Sequence, residues 1–359
     1  MNASDTDRWA ALDALGAEVA RAHDLSALAA AAAAIAPAAA PAVAALAEAT
    51  TPSAASEITR RISALNDEIT RRVVQLVAAE TGADLERASW LAFGSQARGE
   101  QTLVTDQDNG LVFAAASDEE AQALRPQWMA YGQRVNEALD RCGYPLCSGN
   151  VMAGQPLCCL STAEWQRRFA HWMQHGDGND LFAARIYFDL RPLAGNVALA
   201  QPLVELLCSP AAAVPRLMKQ LAEFVLAKPL PLNWRGRLVP TKKEGRLMVD
   251  LKLNGTTLFV DAARLWALAH RLAEVGTVPR LQAAAQALHV PAAEAAAWVA
   301  GFELLQGLRL RRQHAGATDA QLRAWVPWDE LDAADREALT QALRAARLLR
   351  QRIELDYCR

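Results

Sequence analysis

The sequence predicts an α/β (α+β) protein: a small mixed sheet with helices, preceded by N-terminal helices and followed by a helical bundle. Three observations predict it. Apolar residues recur at steps of three and four from Ser53 to Glu80. The period then shortens to apolar runs bounded by Gly, alternating with helical stretches. From about Pro202 the helical period returns and dominates. The 359 residues divide on this basis into an Ala-rich helical segment (1–51), an α/β domain (52–200) and a helical C-terminal domain (201–359).

Residues 1–50 read as Ala-rich helix broken at Pro37 and Pro41. In the next helix Ile58, Ile62, Leu65, Ile69, Val73 and Leu76 form a one-sided stripe, closed by Thr81-Gly82. Ala88–Phe93 reads as a buried strand ending at Gly94-Ser95, and Gln107–Ala114 as a second strand. Glu119–Cys142 is a helix with Leu124, Trp128, Val135 and Leu139 inward. Tyr144–Met152 reads as a third strand, and Thr162–Gln174 as a helix with Trp165, Phe169 and Trp172 in the core. Leu181–Leu193 fits either a strand or a helix stopped by Pro192. Beyond Pro202, a hairpin across Lys242-Lys243-Glu244-Gly245 would join Arg237–Val239 to Arg246–Leu251. Helices are expected at Thr256–Val275, Pro279–Leu288, Pro291–Gly307 and Asp332–Leu355. No internal repeat is present.

A net charge of −3 and a pI of about 6.1 give no global basic field, so nucleic acid is not expected as a partner. With 52% hydrophobic and 21% charged residues, wholesale disorder is excluded. Ala27–Ala47 is apolar but mostly Ala with two prolines, which is poor material for a membrane span. The opening Met1–Asp13 carries early acids and no basic stretch, unlike a secretory signal. The six cysteines form no C-x-x-C pair and are expected as free, buried thiols. Together these features lead us to expect a soluble, cytoplasmic protein with no membrane partner.

The chemistry is expected in FGSQARGEQTLVTDQDNGLVF, Phe93–Phe113. Strand side chains alternate faces, so Asp106 and Asp108 point one way while Gln107 and Asn109 point the other. Gly110, next on the acidic face, would leave room for a ligand. Two carboxylates held side by side repel each other. A divalent cation relieves the repulsion, and Mg²⁺ (or Mn²⁺) takes one or two carboxylates plus substrate phosphates. Gly94 lets the backbone turn and approach a bulky anion. Ser95 offers an N–H and a hydroxyl, and a helix starting there would turn free N–H groups on a phosphate. Arg98 supplies a forked cation for the same anion, and Glu100 would orient Arg98 or a metal-bound water.

This arrangement resembles the hG[GS]…DxD signature of the DNA polymerase beta-type nucleotidyltransferase superfamily. More closely, GSQARGEQTLVTDQDNGLVF resembles bacterial putative nucleotidyltransferases often found beside CBS and cyclic-nucleotide-binding modules, relatives of the uridylyltransferase that modifies the PII signalling protein. The likeness continues through GYPLCSGNVMAGQP, FDLRPLAGN, DLKLNGTTLFVDAARLWAL and LRLRRQH, and covers roughly residues 55–355. Residues 1–50 are too short and too helical to be either module.

The resemblance implies transfer of a nucleoside monophosphate from a nucleoside triphosphate to an acceptor hydroxyl, with release of pyrophosphate. Its signalling relatives suggest a protein as the acceptor. Gly94, Ser95 and Arg98 would grip the β,γ-phosphates, and Asp106 and Asp108 the metal, in a cleft between sheet and bundle. The superfamily often carries a third carboxylate on a neighbouring strand. Tyr144–Met152 has none, and Asp189 is the best substitute, the alternative being a structural Asp189–Arg191 pair. Asp250 and Lys252 are further candidates. Lys252 could reach a phosphate, or simply belong to a surface strand. The rival functions are a nucleotide sensor without turnover and an interaction scaffold. His171 and His175, four apart without a third ligand, read as a surface or packed pair, Arg309–His314 as a solvated basic face, and Trp325–Trp328 as a packing anchor.

Overall fold

The computed structural model describes residues 3–47, 53–316 and 324–358. Two compact units emerge. One comprises the residues up to Ala42 with Ile58–Leu207, the other Val43–Glu57 with Cys208–Arg359.

The first unit opens with helices α1 (Ala3–Arg21) and α2 (Leu25–Ala44), then most of α3 (Ser53–Thr81). Pro37 and Pro41 do not break α2 as expected; both lie inside it. They sit on its exposed side, opposite the buried Leu28, Ala31, Ile35, Ala39 and Ala42, where water can satisfy the carbonyls that a proline leaves unbonded. Among the described residues α2 is the one helix long and apolar enough to cross a membrane, by length and composition alone. Its buried side is a single stripe at steps of three and four, the pattern of a core-packing helix.

A four-stranded sheet follows, in the order β3-β2-β1-β4: β1 is Ala88–Phe93, β2 Asn109–Phe113, β3 Cys159–Ser161 and β4 Leu190–Gly195. β1 runs antiparallel to both β2 (Leu91↔Gly110) and β4 (Phe93↔Leu190), while β2 and β3 are parallel. A one-turn helix α4 (Gly94–Arg98) leaves β1 directly, α5 (Asp118–Arg141) follows β2, and α6 (Thr162–Gln174) follows β3. Ser161 caps α6 through a capping box with Glu164. Trp165, Phe169 and Trp172 are buried as expected, and Trp165 Nε1 donates to the Leu111 carbonyl at 3.0 Å.

Two expectations for this unit are corrected. Tyr144–Met152 forms no strand. It is an irregular segment whose Pro145 and Val151 carbonyls accept from the N–H groups of Gln107 (3.1 Å) and Asn109 (3.0 Å). It therefore satisfies the incoming edge of β2 without forming a ladder. The ambiguous Leu181–Leu193 is divided between both readings: α7 (Gly178–Ala184) ends within it, turns follow, and β4 begins at Leu190. A short α8 (Gln201–Leu207) completes the unit.

The second unit is mainly helical: α9 (Pro215–Ala227), α10 (Thr257–His270), α11 (Thr277–Ala287), α12 (Ala292–His314) and α13 (Ala333–Tyr357). Its hairpin joins β5 (Thr241–Lys243) to β6 (Arg246–Asp250) through Glu244 and Gly245, both at positive φ. Arg237–Val239 is not part of that hairpin; Leu238 makes only an isolated bridge to Leu232. Trp325–Pro327, expected as an anchoring turn, is a third strand β7 paired with β6. A π-helical turn, Lys252–Thr256, leads into α10.

The buried Asn136 of α5 joins the approach to β2 to the rest of the first unit. Its Nδ2 donates to Gln107 Oε1 (2.8 Å) and Asn109 Oδ1 (2.9 Å), and its Oδ1 accepts from the Gly154 N–H (3.0 Å). Asn136→Ala leaves buried polar groups unsatisfied and should destabilise the protein by about 3 kcal/mol. Urea unfolding checks this.

Candidate functional site

The site begins where β1 becomes α4. Gly94 has φ +54°, and a Cβ there would stand 2.9 Å from Asp108 Oδ2. Glycine is required twice over, for the left-handed backbone and for the space the carboxylate fills. Asp108 also accepts the Phe93 N–H through its backbone oxygen at 2.9 Å. Gly94 and Asp108, placed on separate segments by the sequence, are thus in direct apposition. Gly110 does not serve the acidic face. A Cβ there would meet the Phe93 ring at 2.8 Å and the Cys158 carbonyl at 3.0 Å, so its bareness serves core packing.

Gln107 and Asn109 are buried, at 4% and 2% exposure, whereas Asp106 is exposed and Asp108 half-buried. The period-two reading holds although β2 itself begins only at Asn109. The reason is a lattice of amides. Gln107 Nε2 donates to the carbonyls of Asn136 (3.0 Å) and Tyr144 (2.8 Å), and Asn109 Oδ1 accepts from the Ala153 N–H (2.8 Å) as well as from Asn136. With both amide side chains held inward, Asp106 and Asp108 are left on the outward face.

Asp108 has a neighbour the sequence did not reveal. The Cys147 thiol donates to its Oδ1 at 3.4 Å. Burial, reinforced by the Asp108 charge, pushes the Cys147 pKa up, so the thiol remains protonated and able to donate. No spacing rule would have marked this cysteine, since it lies in the irregular 144–152 segment.

Arg98, at the end of α4, connects the remaining acids. Its Nε donates to Glu100 Oε2 at 2.8 Å and an Nη to Asp189 Oδ2 at 2.5 Å. Glu100 thus pairs with Arg98 in the structure. Asp189 is completely buried and immediately precedes β4, whose Leu190 pairs with Phe93. Asp108 and Asp189 thus flank the same end of β1 from opposite sides, with Cα atoms roughly 10 Å apart by strand spacing.

The alternative Asp189–Arg191 pair is overturned. Arg191 instead donates to Asp67 Oδ2 (2.7 Å) and to the carbonyls of Gln96 (2.8 Å) and Ala97 (3.1 Å). In a continuous strand residues 189 and 191 would share a face, but β4 begins only at Leu190, and Asp189 before it turns to Arg98. Burial raises the Asp67 pKa, with Arg191 pulling against it. Gln96 Nε2 completes this support with bonds to Asp67 Oδ1 (3.3 Å) and Thr70 Oγ1 (3.1 Å) of α3.

Ser95 is half-buried in the first turn of α4, and its carbonyl accepts the Gly99 and Glu100 N–H groups. Lys252 belongs to the other unit, exposed on the π-helical turn. Asp250 is buried as a local cap, its Oδ1 accepting the N–H groups of Lys252 and Leu253, each at 2.8 Å. Asp106 and Asp108 are the carboxylates that could hold a hard cation, which takes one or two such ligands alongside phosphate and water oxygens. Among the described residues no three His, Cys, Asp or Glu side chains converge as metal ligands. His171 and His175 are an exposed pair, His171 facing Asp180 at 3.6 Å. In the basic Arg309–His314 stretch, Arg311 and Arg312 pair with Asp335 and Glu330.

Residues 39–179 match the protein-family model described as "Putative nucleotidyltransferase DUF294", which includes Gly94 to Asp108 and Cys147. Residues 215–357 match "Putative nucleotidyltransferase substrate binding domain". A search of curated proteins finds no match. With matches on both sides of residues 180–214, and with Gly94 and Asp108 in apposition, this chain belongs to the DUF294 putative nucleotidyltransferase family.

Proposed function

We propose that the protein transfers a nucleoside monophosphate from a nucleoside triphosphate to an acceptor hydroxyl, releasing pyrophosphate, with Mg²⁺ or Mn²⁺ held by Asp106 and Asp108. The observation that carries this reading is the inward anchoring of Gln107 and Asn109, which leaves Asp106 exposed and Asp108 half-buried against Gly94. The cation, when bound, neutralises charge on the triphosphate and favours departure of pyrophosphate. Gly94 and Ser95 admit the phosphates close to the backbone, and Arg98 grips the β,γ-phosphates of the leaving group.

Arg98 links phosphate binding to acceptor activation. In the structure its guanidinium is shared by Glu100 and Asp189. A triphosphate offers it a more highly charged partner. As Arg98 moves to the phosphates, Glu100 keeps it oriented and Asp189 gains a carboxylate oxygen able to accept a proton. The acceptor oxygen then forms a bond to the α-phosphorus, its proton passes to Asp189, and the bond to the bridging oxygen breaks with its electron pair leaving on pyrophosphate. The acceptor in this proposal is a hydroxyl on a protein, in keeping with a signalling role in the cytoplasm.

A second reading, a nucleotide-binding regulator without turnover, is favoured by one specific observation: Asp189 is committed to Arg98, and among the described residues no third acid joins Asp106 and Asp108. Incubation with each α-labelled triphosphate and Mg²⁺ or Mn²⁺, with and without cell lysate, separates the two. Transfer of label with pyrophosphate release supports the enzyme. Binding without turnover supports the regulator.

Asp106→Asn and Asp108→Asn should each lower metal-dependent turnover by at least about 10³-fold while thermal stability is retained, because neither group is a buried anchor. Asp189→Asn should lower kcat by about 10²–10⁴-fold yet leave triphosphate affinity equal or improved, since Arg98 loses a competing carboxylate. Arg98→Ala should act mainly on KM, raising it about tenfold or more. Steady-state kinetics paired with calorimetric nucleotide binding measures all of these. Equal effects of Asp189→Asn and Arg98→Ala on KM would remove the exchange from the mechanism.

A further inference from the structure

Residues 226–246 of the second unit present an exposed tryptophan on a rigid, basic tip. Between Lys228 and Arg246 there are six cations and one acid, Glu244, in a chain whose net charge is −3. Lys228 is paired with Asp261, and Arg246 with Asp329 and Glu330. Arg235, Arg237 and Lys242 are exposed. Trp234 is 83% exposed and is the one fully exposed tryptophan among the described residues. Arg235 stacks its guanidinium 4.4 Å from the Trp234 ring centroid.

The tip is held rather than left loose. The Asn233 side chain accepts from the N–H groups of Arg235 (2.9 Å) and Arg237 (3.0 Å), and the Asn233 N–H reaches the Arg237 carbonyl at 2.9 Å. Three arginines spaced along one face of α13 then clamp the backbone. Arg344 Nε donates to the Gly236 carbonyl (2.9 Å), Arg347 to that of Asn233 (2.7 Å), and Arg350 to that of Lys228 (2.8 Å). Gly236, at φ +71°, lets Arg344 come close: a Cβ would lie 3.3 Å from its Nε. In each clamp the acceptor is a neutral carbonyl, so the positive charge of α13 remains and adds to that of the tip.

We infer that this tip docks an acidic segment of a partner protein, with Trp234 as the apolar anchor and Arg235, Arg237 and Lys242 reading the carboxylates. Trp and Arg are the residues that most often dominate interface energetics, and a pre-ordered tip avoids the entropy cost of fixing them on binding. A second copy of the chain would bring the same cations to a two-fold contact and be repelled. Single-stranded nucleic acid is gripped by several aromatics spaced along a groove, whereas this surface offers one. Binding is read without nucleotide, so the inference stands or falls separately from the transfer reaction.

The test uses the full chain and fluorescence anisotropy of a labelled peptide of about 16 residues alternating Glu and Pro, which offers carboxylates to the arginines and pyrrolidine rings to the indole. A single-stranded oligonucleotide of matched charge runs in parallel. The expected result is salt-sensitive peptide binding that weakens about tenfold or more in Trp234→Ala and is lost in Arg235→Glu/Arg237→Glu. Arg134→Glu/Arg141→Glu, a charge reversal on α5 in the other unit, should leave it intact. Absence of peptide binding overturns the inference. So does an equal loss in the α5 variant, tighter oligonucleotide binding with the same dependence on Trp234, or a chain whose oligomeric state changes with Trp234→Ala.

Discussion

Two inward amides govern the face that carries the acids. Gln107 and Asn109 have polar side chains that cannot be buried without partners, and Asn136, Tyr144 and Ala153 supply those partners, with Gly154 in turn holding Asn136. Because backbone alternation is fixed by covalent geometry, satisfying residues 107 and 109 also decides where 106 and 108 point. The amides thus set the direction of the acids, and the Cys147 thiol adds a contact to Asp108. Rigidity here comes from neutral, buried amides, while Asp106 is exposed and Asp108 half-buried.

A second layer organises the cationic side. Arg191 draws the C-terminal carbonyls of α4 and the buried Asp67 together, so α4 is fixed at its end as well as at Gly94. A cation at a helix C-terminus is favourable, and here it also neutralises an acid whose burial would otherwise be costly. Arg98 projects from this anchored turn toward Glu100 and Asp189. The two arginines therefore divide the labour: Arg191 holds the frame, and Arg98 carries the charge that our proposal moves. At α13, too, Arg344, Arg347 and Arg350 bind neutral carbonyls, holding a segment without spending their charge on an acid.

The helical elements were legible because their signals are local. The stripe of α3 and the Trp165–Phe169–Trp172 spacing each specify a helix within a few residues. The Gly94–Asp108 motif was legible for a similar reason: a turn residue and a period-two pair are written in adjacent letters. Errors arose where a partner distant in sequence outweighs the local pattern. Tyr144–Met152 has strand-like composition, but its hydrogen bonds go to single N–H groups at 107 and 109 rather than along a ladder. Pro37 and Pro41 fall on the exposed side of α2, where a missing N–H is cheap. Cys147 and Asn136 carry no motif at all; their importance comes from what packs beside them.

The sequence by itself determined that a Gly-Ser turn, an arginine and two alternating acids lie within one short segment between apolar strands, since peptide geometry alone sets which of those side chains share a face. Only the tertiary structure decided that Gly94 makes room for the Asp108 carboxylate, that Asp189 lies just ahead of a strand and meets Arg98 rather than Arg191, and that Gly110 belongs to the core. These outcomes turn on strand order and on which buried polar group finds which partner. The Arg98–Asp189 pair joins residues 91 positions apart, beyond the reach of any local periodicity.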